Sequence, residues 1–208
     1  ASLAGLFKEA QAEGSIDMNF GPAPFIPRPN DLSDAAWQKA KAMGEDHIKA
    51  GKVAAFVVAG GQGSRLGYEG PKGAYRMSPV KNKSLFQIHA EKIKKYSMKY
   101  GVAVPFFIMT SDVNHEETAA HFEENDYFGL HRKDVFLFPQ NMIPSLDAKG
   151  KLILSAKNSI FKNPDGHGGS LTALRTSGAL DEMKKRGIET LSYFQVDNPT
   201  VNIIDPVF

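Results

Sequence analysis

The chain contains 208 residues, of which 25 are Lys or Arg, 23 are Asp or Glu, and none is Cys. The net charge of +2 gives no overall electrostatic attraction to nucleic acid or to an anionic membrane. The lack of cysteine excludes disulfide frameworks, Cys-ligated zinc, iron–sulfur clusters and thiol catalysis, and it favours a reducing, cytoplasmic compartment. With 42% hydrophobic residues and no membrane span or signal peptide, the composition predicts a soluble globular protein.

Residues 1–50 predict a helical segment that contains a proline-rich connector. Residues 1–18 predict a short helix or a frayed end. The stretch Asn19–Asn30 has four prolines in twelve residues, which is typical of an extended connector. A helix is predicted next, with capping oxygens on Ser33–Asp34 and a stop at Gly51.

From residue 51 onward, apolar runs alternate with helical patterns. Apolar runs without polar alternation suit strands that are buried on both faces of a parallel sheet. We predict strands at Val53–Val58, Val104–Met109, Val135–Phe138 and Leu191–Val196, and a short edge strand at Lys151–Leu154. Capping pairs and helical spacing predict helices from Ser84 with Gln87 to Gly101, from Asn114 with Glu117 to Asn125, and from Ser170 to Arg186. The alternation predicts an α/β fold, a Rossmann-like open sheet whose ligands bind at the carboxyl ends of the strands.

A glycine-rich loop follows the first predicted strand. It runs from Val58 to Gly67 and continues with Gly70–Gly73. Glycines directly after a buried strand let backbone N–H groups point at an anion, and Arg65 and Lys72 add positive charge to the same loop. These features predict a polyphosphate site, with a plain glycine-rich turn carrying surface cations as the alternative.

The spacing of this loop separates it from two common phosphate motifs. Gly61, Gly63 and Gly67 give the pattern G-x-G-x-x-x-G. No acidic residue stands about 20 positions further on to hold a ribose, as a dinucleotide-binding fold requires. Lys72 follows Pro71, so the G-x-x-x-x-G-K-[ST] pattern of a P-loop NTPase is not present either.

Several motifs in a fixed order resemble a known family. They are GGQGSRLG, PKG and KSLFQIHAEKI, then MTS at Met109–Ser111, YFGL at Tyr127–Leu130, FPQNMIP at Phe138–Pro144, DGHGG at Asp165–Gly169 and VDN at Val196–Asn198. Together they resemble the N-terminal half of the eukaryotic-type UDP-sugar pyrophosphorylases, most of all the UDP-N-acetylhexosamine branch. The resemblance covers about residues 55–208 and implies a nucleotide-binding α/β sheet of the glycosyltransferase-A type.

The resemblance implies a uridylyltransferase that joins a sugar 1-phosphate to the α-phosphorus of UTP and releases pyrophosphate. It implies that residues 51–208 form the nucleotide-binding part of a catalytic domain truncated at its C-terminal side. The sugar-binding half expected of the family would lie beyond residue 208. We therefore expect the chain to bind UTP weakly and not to catalyse by itself.

The resemblance also assigns phosphate-binding roles to the glycine-rich loop. Backbone around Ala59, Gly60 and Gly61 would receive the nucleotide. Arg65 would grip the departing β- and γ-phosphates, and Lys72 would neutralise charge near the α-phosphate. The alternative for both Arg65 and Lys72 is a surface salt bridge.

Four further residues receive roles from the resemblance. Gln140 would bind the edge of uracil with its amide, and Gly166 would reach the base through its backbone. Asp197 would coordinate Mg²⁺ between the phosphates, with capping of the next turn as the alternative. His167 would bind the sugar substrate, but it departs from the family pattern, since acetylhexosamine enzymes usually carry Asn there and UDP-glucose and broad-specificity enzymes carry His. The sugar, an N-acetylhexosamine or a hexose, therefore stays open, and a plain loop role is the alternative for Gln140 and His167.

Two other function classes stay open. One is a glycosyltransferase that uses a finished UDP-sugar, although Asp197-Asn-Pro lacks the second carboxylate of the Asp-x-Asp metal site typical of those enzymes. The other is a nucleotide-binding module without turnover, against which the joint presence of Arg65, Lys72, Gln140 and Asp197 argues. We expect a monomer with no nucleic-acid or membrane partner.

Two further groups of residues predict structural roles. Five histidines show no metal-ligand spacing, and we predict that they lie on the surface or pack in the interior: His47, His89, His115, His121 and His131. The solvated face of a helix is predicted for Lys92, Lys94, Lys95 and Lys99.

Overall fold

The computed structural model describes residues 3–12, 20–29 and 31–208. Its helices are α1 (Leu3–Gln11), α2 (Ala35–Lys49), α3 (Leu85–Tyr100), α4 (His115–Glu124), α5 (Gly169–Thr176) and α6 (Ala179–Lys185). Its strands are β1 (Val53–Val58), β2 (Phe106–Thr110), β3 (Val135–Pro139), β4 (Met142–Pro144), β5 (Leu154–Ala156), β6 (Ser159–Ile160), β7 (Lys162–Pro164) and β8 (Thr190–Gln195). None of the helices in the described part of the chain is both long and apolar enough to cross a bilayer.

The chain divides into two compact units. The first comprises Ala1–Leu32 and Met142–Asn163, and the second comprises Ser33–Asn141 and Pro164–Phe208. The first unit contains α1 and the antiparallel β5–β6 hairpin, while β4 and β7 pair as a separate two-stranded sheet. The predicted domain boundary at residue 50 stays a prediction.

The N-terminal predictions agree with the described residues. Helix α1 falls within the stretch 1–18, of which residues 1–2 and 13–18 lie outside the described residues. Residues 20–29 of the proline-rich connector form neither helix nor strand. Helix α2 begins after Asp34, whose carboxylate accepts the Trp37 N–H at 3.0 Å. The helix predicted before the first sheet strand is therefore confirmed, together with its cap.

The second unit is built on a four-stranded parallel sheet with the order β3-β2-β1-β8. In the centre, Ala55 of β1 pairs with Phe106 of β2, and Val53 of β1 pairs with Thr190 of β8. From β1 the chain passes through α3 to β2 and through α4 to β3, and it later returns on the other side of β1 as β8. The direction of winding therefore reverses between β1 and β8, which is the position where ligands bind in open parallel sheets.

Apolar side chains cover both faces of this sheet. One buried cluster joins the strands to α2, α3 and α4, with members that include Ile48, Ala55, Phe86, Ile93, Phe106 and Phe122. The other joins the strands to α5 and α6, with members that include Phe56, Phe107, Met109, Leu174 and Met183. The second unit thus has helix, sheet and helix layers, and the predicted α/β fold class is confirmed.

Three predictions about the later elements are wrong. The helix predicted over Ser170–Arg186 is broken into α5 and α6 at Gly178, which has a left-handed φ of 79°. Strand β8, predicted as a buried strand, lies at the edge of the sheet and is mostly exposed or half-buried, with Tyr193 44% exposed. The edge strand predicted at Lys151–Leu154 begins only at Leu154, as β5.

One of the four lysines of helix α3 is not where it was predicted. Lys94, Lys95 and Lys99 are exposed, as predicted for a solvated face. Lys92 is partly buried instead, and its ammonium donates to the carbonyls of Pro199 and Val201. Desolvation by burial lowers the pKa of Lys92. Its place on the solvated face is therefore a wrong prediction.

Candidate functional site

The loop after β1 presents two unpaired backbone donors. Ala59 is fully buried and donates its N–H to the carbonyl of Met109 at 2.7 Å, which extends the pairing of β1 with β2. Within the described residues, no protein group accepts a hydrogen bond from the N–H of Gly60 or Gly61. Gly60 and Gly61 therefore offer donors to an anion, whereas a contact with Ala59 is limited to van der Waals packing.

A buried pair of side chains, which we call the Ser111–Asn114 brace, holds the carbonyls of this loop. Ser111 Oγ donates to the Gly60 carbonyl at 2.9 Å. Asn114 Nδ2 donates to the Ala59 carbonyl at 3.0 Å and to the Gly61 carbonyl at 3.3 Å. Because three successive carbonyls are bound on this side, the orientation of the peptide groups in the loop is fixed.

Asn114 differs from its predicted role. The sequence pairs it with Glu117 as a capping box, but its side chain makes no capping bond to α4. Its Oδ1 accepts instead from the Ser111 N–H at 2.9 Å, and its amide nitrogen serves the β1 loop. The capping prediction is wrong because Oδ1, the atom that would accept a capping bond, is bound to the Ser111 N–H, while Nδ2 holds buried carbonyls 55 and 53 positions away. No local pattern in the sequence shows such a long-range contact.

Gln140 lies directly against Gly60. A Cβ on Gly60 would lie 2.2 Å from Gln140 Nε2, so only a glycine leaves room for this amide. The Gln140 N–H donates to the Thr110 carbonyl at 2.8 Å, which fixes the backbone just beyond β3. In the described part of the chain the side-chain amide of Gln140 has no hydrogen-bond partner, so its donor and acceptor are both available.

Lys72 and Asp197 form an ion pair at the reversal of winding. Lys72 Nζ donates to Asp197 Oδ2 at 3.0 Å, and the two side chains are 17% and 47% exposed. The Lys72 N–H donates to the Gly61 carbonyl at 3.0 Å, and its Nζ lies 3.8 Å from where a Cβ on Gly61 would be. The ammonium, the carboxylate and the glycine N–H groups therefore share one small area at the carboxyl ends of β1 and β8.

The turn that contains Gly166 and His167 is hydrogen-bonded to Asn141, the residue that follows Gln140. The Asp165 N–H donates to the Asn141 carbonyl at 3.3 Å. Gly166 has a left-handed φ of 73° and faces open space, which leaves its backbone accessible. Exposed His167 is hydrogen-bonded through Nδ1 to the hydroxyl of Tyr193 on β8, a residue that the sequence patterns do not single out.

Arg65 stands apart from the ion pair. It is exposed on a short 3₁₀ turn at Ser64–Leu66. Among the described residues it has no hydrogen-bond or salt-bridge partner, so the surface salt bridge considered for it does not form there. Its guanidinium is free to meet a ligand from this position.

His89 of α3 is fully buried, as predicted for a packing residue. Its Nε2 also donates to the carbonyl of Val196, the residue before Asp197, at 2.8 Å. Burial lowers the pKa of His89 from 6.5 to about 4, so the ring is neutral at pH 7. The described residues contain no cluster of three or more His, Asp or Glu side chains that could hold a metal.

Comparison with known proteins decides the family. A family model described as UTP–glucose-1-phosphate uridylyltransferase matches residues 17–208. The chain belongs to this uridylyltransferase family. The resemblance found in the ordered motifs of the sequence is thereby confirmed.

Named relatives and solved structures agree with this assignment. The uridylyltransferase-family chain is 39% identical over 212 residues to the "Probable UDP-N-acetylglucosamine pyrophosphorylase" of Schizosaccharomyces pombe, covering 97% of the chain and 44% of that relative. It is 34% identical, with a TM-score of 0.78, to the uridine diphosphate N-acetylglucosamine pyrophosphorylase of Trypanosoma brucei in complex with an inhibitor, covering 83% of the chain and 37% of that protein.

A more distant structure shows the fold alone. The UDP-glucose phosphorylase of Trypanosoma brucei is 20% identical with a TM-score of 0.72, and the match covers 97% of the chain and 42% of that protein. The chain thus spans about two fifths of the length of these relatives, on covered shares of 44%, 37% and 42%.

Proposed function

We propose that the chain is the nucleotide-binding part of a uridylyltransferase that forms a UDP-sugar and pyrophosphate from UTP and a sugar 1-phosphate. The observation that carries this proposal is the Lys72–Asp197 ion pair beside the unpaired N–H groups of Gly60 and Gly61. Membership of the uridylyltransferase family supports it, because the family description names UTP and glucose 1-phosphate.

The proposed reaction is a displacement at phosphorus. An oxygen of the sugar phosphate attacks the α-phosphorus of UTP, a new P–O bond forms, and the bond to the bridging oxygen of the β-phosphate breaks, so that pyrophosphate leaves. The attacking oxygen is already ionised at neutral pH, so the step requires no general base and no covalent enzyme intermediate. The protein orients the reactants and stabilises the developing charge.

The chain offers four groups for the phosphates. The N–H groups of Gly60 and Gly61 and the ammonium of Lys72 would hold the α-phosphate region. Arg65, on the next turn of the same loop and without a protein partner among the described residues, would bind the leaving β- and γ-phosphates. Ala59 would contact the nucleotide by packing, since its own N–H is bonded to Met109.

We assign Asp197 as a ligand of Mg²⁺. Its Oδ2 accepts from Lys72, whereas its Oδ1 has no hydrogen-bond partner among the described residues, and the side chain is 47% exposed. A cation that binds through one carboxylate, phosphate oxygens and several waters fits such a position, since it needs no larger ligand cluster. When bound, Mg²⁺ supplies neutralisation of the charge on the phosphates.

Gln140 and Gly166 are the proposed contacts of the base. The free amide of Gln140 offers one donor and one acceptor, as the edge of uracil requires. The open backbone at Gly166 offers a further polar contact from the neighbouring turn. A site that pairs the polar edge of uracil discriminates against other bases because its buried groups would lose their partners.

For the sugar we propose an N-acetylhexosamine or a hexose, with His167 in contact with the sugar phosphate. The relatives at 39% and 34% identity carry UDP-N-acetylglucosamine in their names, which supports the first of these. The hydroxyl of Tyr193, on the edge strand β8, is hydrogen-bonded to His167 and orients its ring. The absence of cysteine supports a cytoplasmic compartment, and the near-neutral charge supports small-molecule substrates over nucleic acid. That the acting unit is a monomer stays a prediction.

The experiment that tests the proposal is pyrophosphate release from UTP by the full-length protein. The panel of acceptors consists of the 1-phosphates of GlcNAc, GalNAc, glucose and galactose, and ATP in place of UTP serves as control. We expect release with UTP that depends on one or more of these sugar phosphates. No release with any of them would favour a nucleotide-binding module without turnover.

A further inference from the structure

One face of α3 holds the segment that follows β8. This segment, Val196–Asn202, receives hydrogen bonds from side chains spaced three and four residues apart, which therefore lie on the same helix face. The bonds are from His89 Nε2 to the Val196 carbonyl (2.8 Å), from Lys92 Nζ to the carbonyls of Pro199 (2.5 Å) and Val201 (2.9 Å), and from the Tyr96 hydroxyl to Asn202 Oδ1 (2.7 Å).

These bonds bracket Asp197. The Val196 carbonyl belongs to the same peptide group as the Asp197 nitrogen, so the bond from His89 fixes the plane from which the Asp197 side chain departs. The Pro199 carbonyl is fixed two residues later by Lys92. Both anchored carbonyls accept from α3 side chains, and the exposed carboxylate lies between the two anchors.

The same helix also sets the position of Lys72. The 3₁₀ turn Lys72–Ala74 packs on α3 so closely that a Cβ on Gly73 would lie 2.2 Å from the ring of Phe86. Phe86 and His89 are three residues apart and therefore share a face of the helix. One turn of α3 thus touches the turn that carries Lys72 and the peptide that carries Asp197.

The chemistry of His89 argues for more than space filling. The ring is fully buried, yet its Nδ1 has no hydrogen-bond partner in the described part of the chain. A buried polar atom without a partner is unfavourable, and an apolar side chain would fill the same space without one. The group that distinguishes the histidine is its Nε2–H, which is bound to the Val196 carbonyl.

We infer that α3 is a common platform for the Lys72–Asp197 pair, and that His89 is a positioning residue that orients the Asp197 carboxylate for Mg²⁺ and UTP. This inference rests on the proposed function, since it presupposes that Asp197 meets the metal–nucleotide complex. His89 touches neither substrate nor metal and acts through the Val196 peptide.

The test compares three variants of the full-length protein. His89→Leu removes the donor, and His89→Gln keeps a side-chain N–H. His47→Leu is the matched control, because this partly buried histidine is hydrogen-bonded to Thr190, at the other end of β8 from Asp197, and to none of the residues Val196–Asn202. Two quantities are measured without sugar phosphate: the Mg²⁺ concentration that gives half-maximal UTP binding by calorimetry, and amide hydrogen exchange of the peptide 196–202 without metal or nucleotide.

We expect His89→Leu to raise the required Mg²⁺ concentration by at least about tenfold, the size seen when a residue that orients a metal ligand is removed. Exchange in the peptide 196–202 should accelerate in His89→Leu, while His89→Gln and His47→Leu should behave like the parent. If His89→Leu does not fold, Lys92→Met, which removes the donor to Pro199 and Val201, should show the same shift.

Three results would overturn the inference alone, given a parent protein that binds UTP with Mg²⁺. They are an unchanged Mg²⁺ requirement in His89→Leu (or, if that variant does not fold, in Lys92→Met), an equal rise of that requirement in His89→Gln, or an equal rise in His47→Leu, which would signify general loosening of the fold. A parent protein that binds no UTP at any Mg²⁺ concentration would contradict the proposed function itself, and the inference with it.

Discussion

Gln140 shows at the scale of single residues how the site keeps a polar group available. Its amide is packed against Gly60 and has no partner in the described part of the chain. The residue is only 7% exposed, so an amide without a protein partner there is available to a ligand. Sequence resemblance identifies Gln140, but the reason for the glycine beside it appears only in the structure.

The Gln140→Ala variant tests this assignment. We expect the affinity for UTP to fall by about tenfold, the effect of losing one or two neutral hydrogen bonds. The affinity for pyrophosphate should not change, because pyrophosphate has no base. Competition binding with both ligands measures the two quantities. Unaltered UTP affinity would remove Gln140 from the recognition of uracil.

The buried ring of His89 should make the stability of the fold depend on pH. Its pKa is lowered by burial to about 4 in the folded protein, against 6.5 in the unfolded chain. Between these values the unfolded chain binds a proton that the folded protein does not bind. The free energy of unfolding should therefore fall as the pH drops from 6.5 to 4, by about 3 kcal/mol in total.

Urea unfolding at several pH values in this window measures the effect. The His89→Gln variant, which cannot titrate here, should lose this part of the pH dependence and keep the rest. The same slope in both proteins would show that His89 does not have a depressed pKa. The hydrogen bonds of His89 to Val196 and of Asn114 to Ala59 lie outside what sequence patterns predict, because each joins residues more than 50 positions apart along the chain.

The loop after β1 and helix α4 are coupled at the scale of elements. The Ser111–Asn114 brace joins the start of α4 to the carbonyls of the glycine loop, and both side chains are buried. The carbonyls accept from the brace, and the unpaired N–H groups of the loop are left for a ligand. The orientation of the loop therefore depends on a residue that touches no ligand itself.

Asn114→Ala tests this coupling. The change leaves the carbonyls of Ala59 and Gly61 without their side-chain donor, which should destabilise the protein by about 1–3 kcal/mol and weaken UTP binding. Asn125→Ala, at the exposed other end of α4, is the matched control and should cost little. Equal unfolding midpoints and equal UTP affinities for the two variants would contradict the role of the brace.

Prediction of the elements from sequence succeeds where burial is strong and local signals agree. Strand β1 is predicted with its observed ends because it is apolar throughout and central in the sheet. Ser84 caps α3 as predicted, by accepting from the Gln87 N–H at 3.2 Å. The break at Gly178 is missed because a single glycine inside a helical pattern is often tolerated. The exposed edge of β8 depends on strand order, which hydrophobicity does not reveal.

Topology creates the site at the scale of the whole molecule. Lys72 and Asp197 are 125 positions apart in sequence, and they meet because β1 and β8 are neighbours in the parallel sheet. The reversal of winding at this point places the carboxyl ends of the two strands together. The central claim is that this pair carries uridylyl transfer.

Turnover of variants of the full-length protein tests that claim most directly. Lys72→Ala and Asp197→Ala should each reduce pyrophosphate release by at least about a hundredfold, the loss typical of one electrostatic contact in a transition state. Lys52→Ala, which breaks the exposed Lys52–Glu189 ion pair of 2.9 Å, is the matched control and should retain turnover. Near-normal release by Lys72→Ala or Asp197→Ala would contradict the claim.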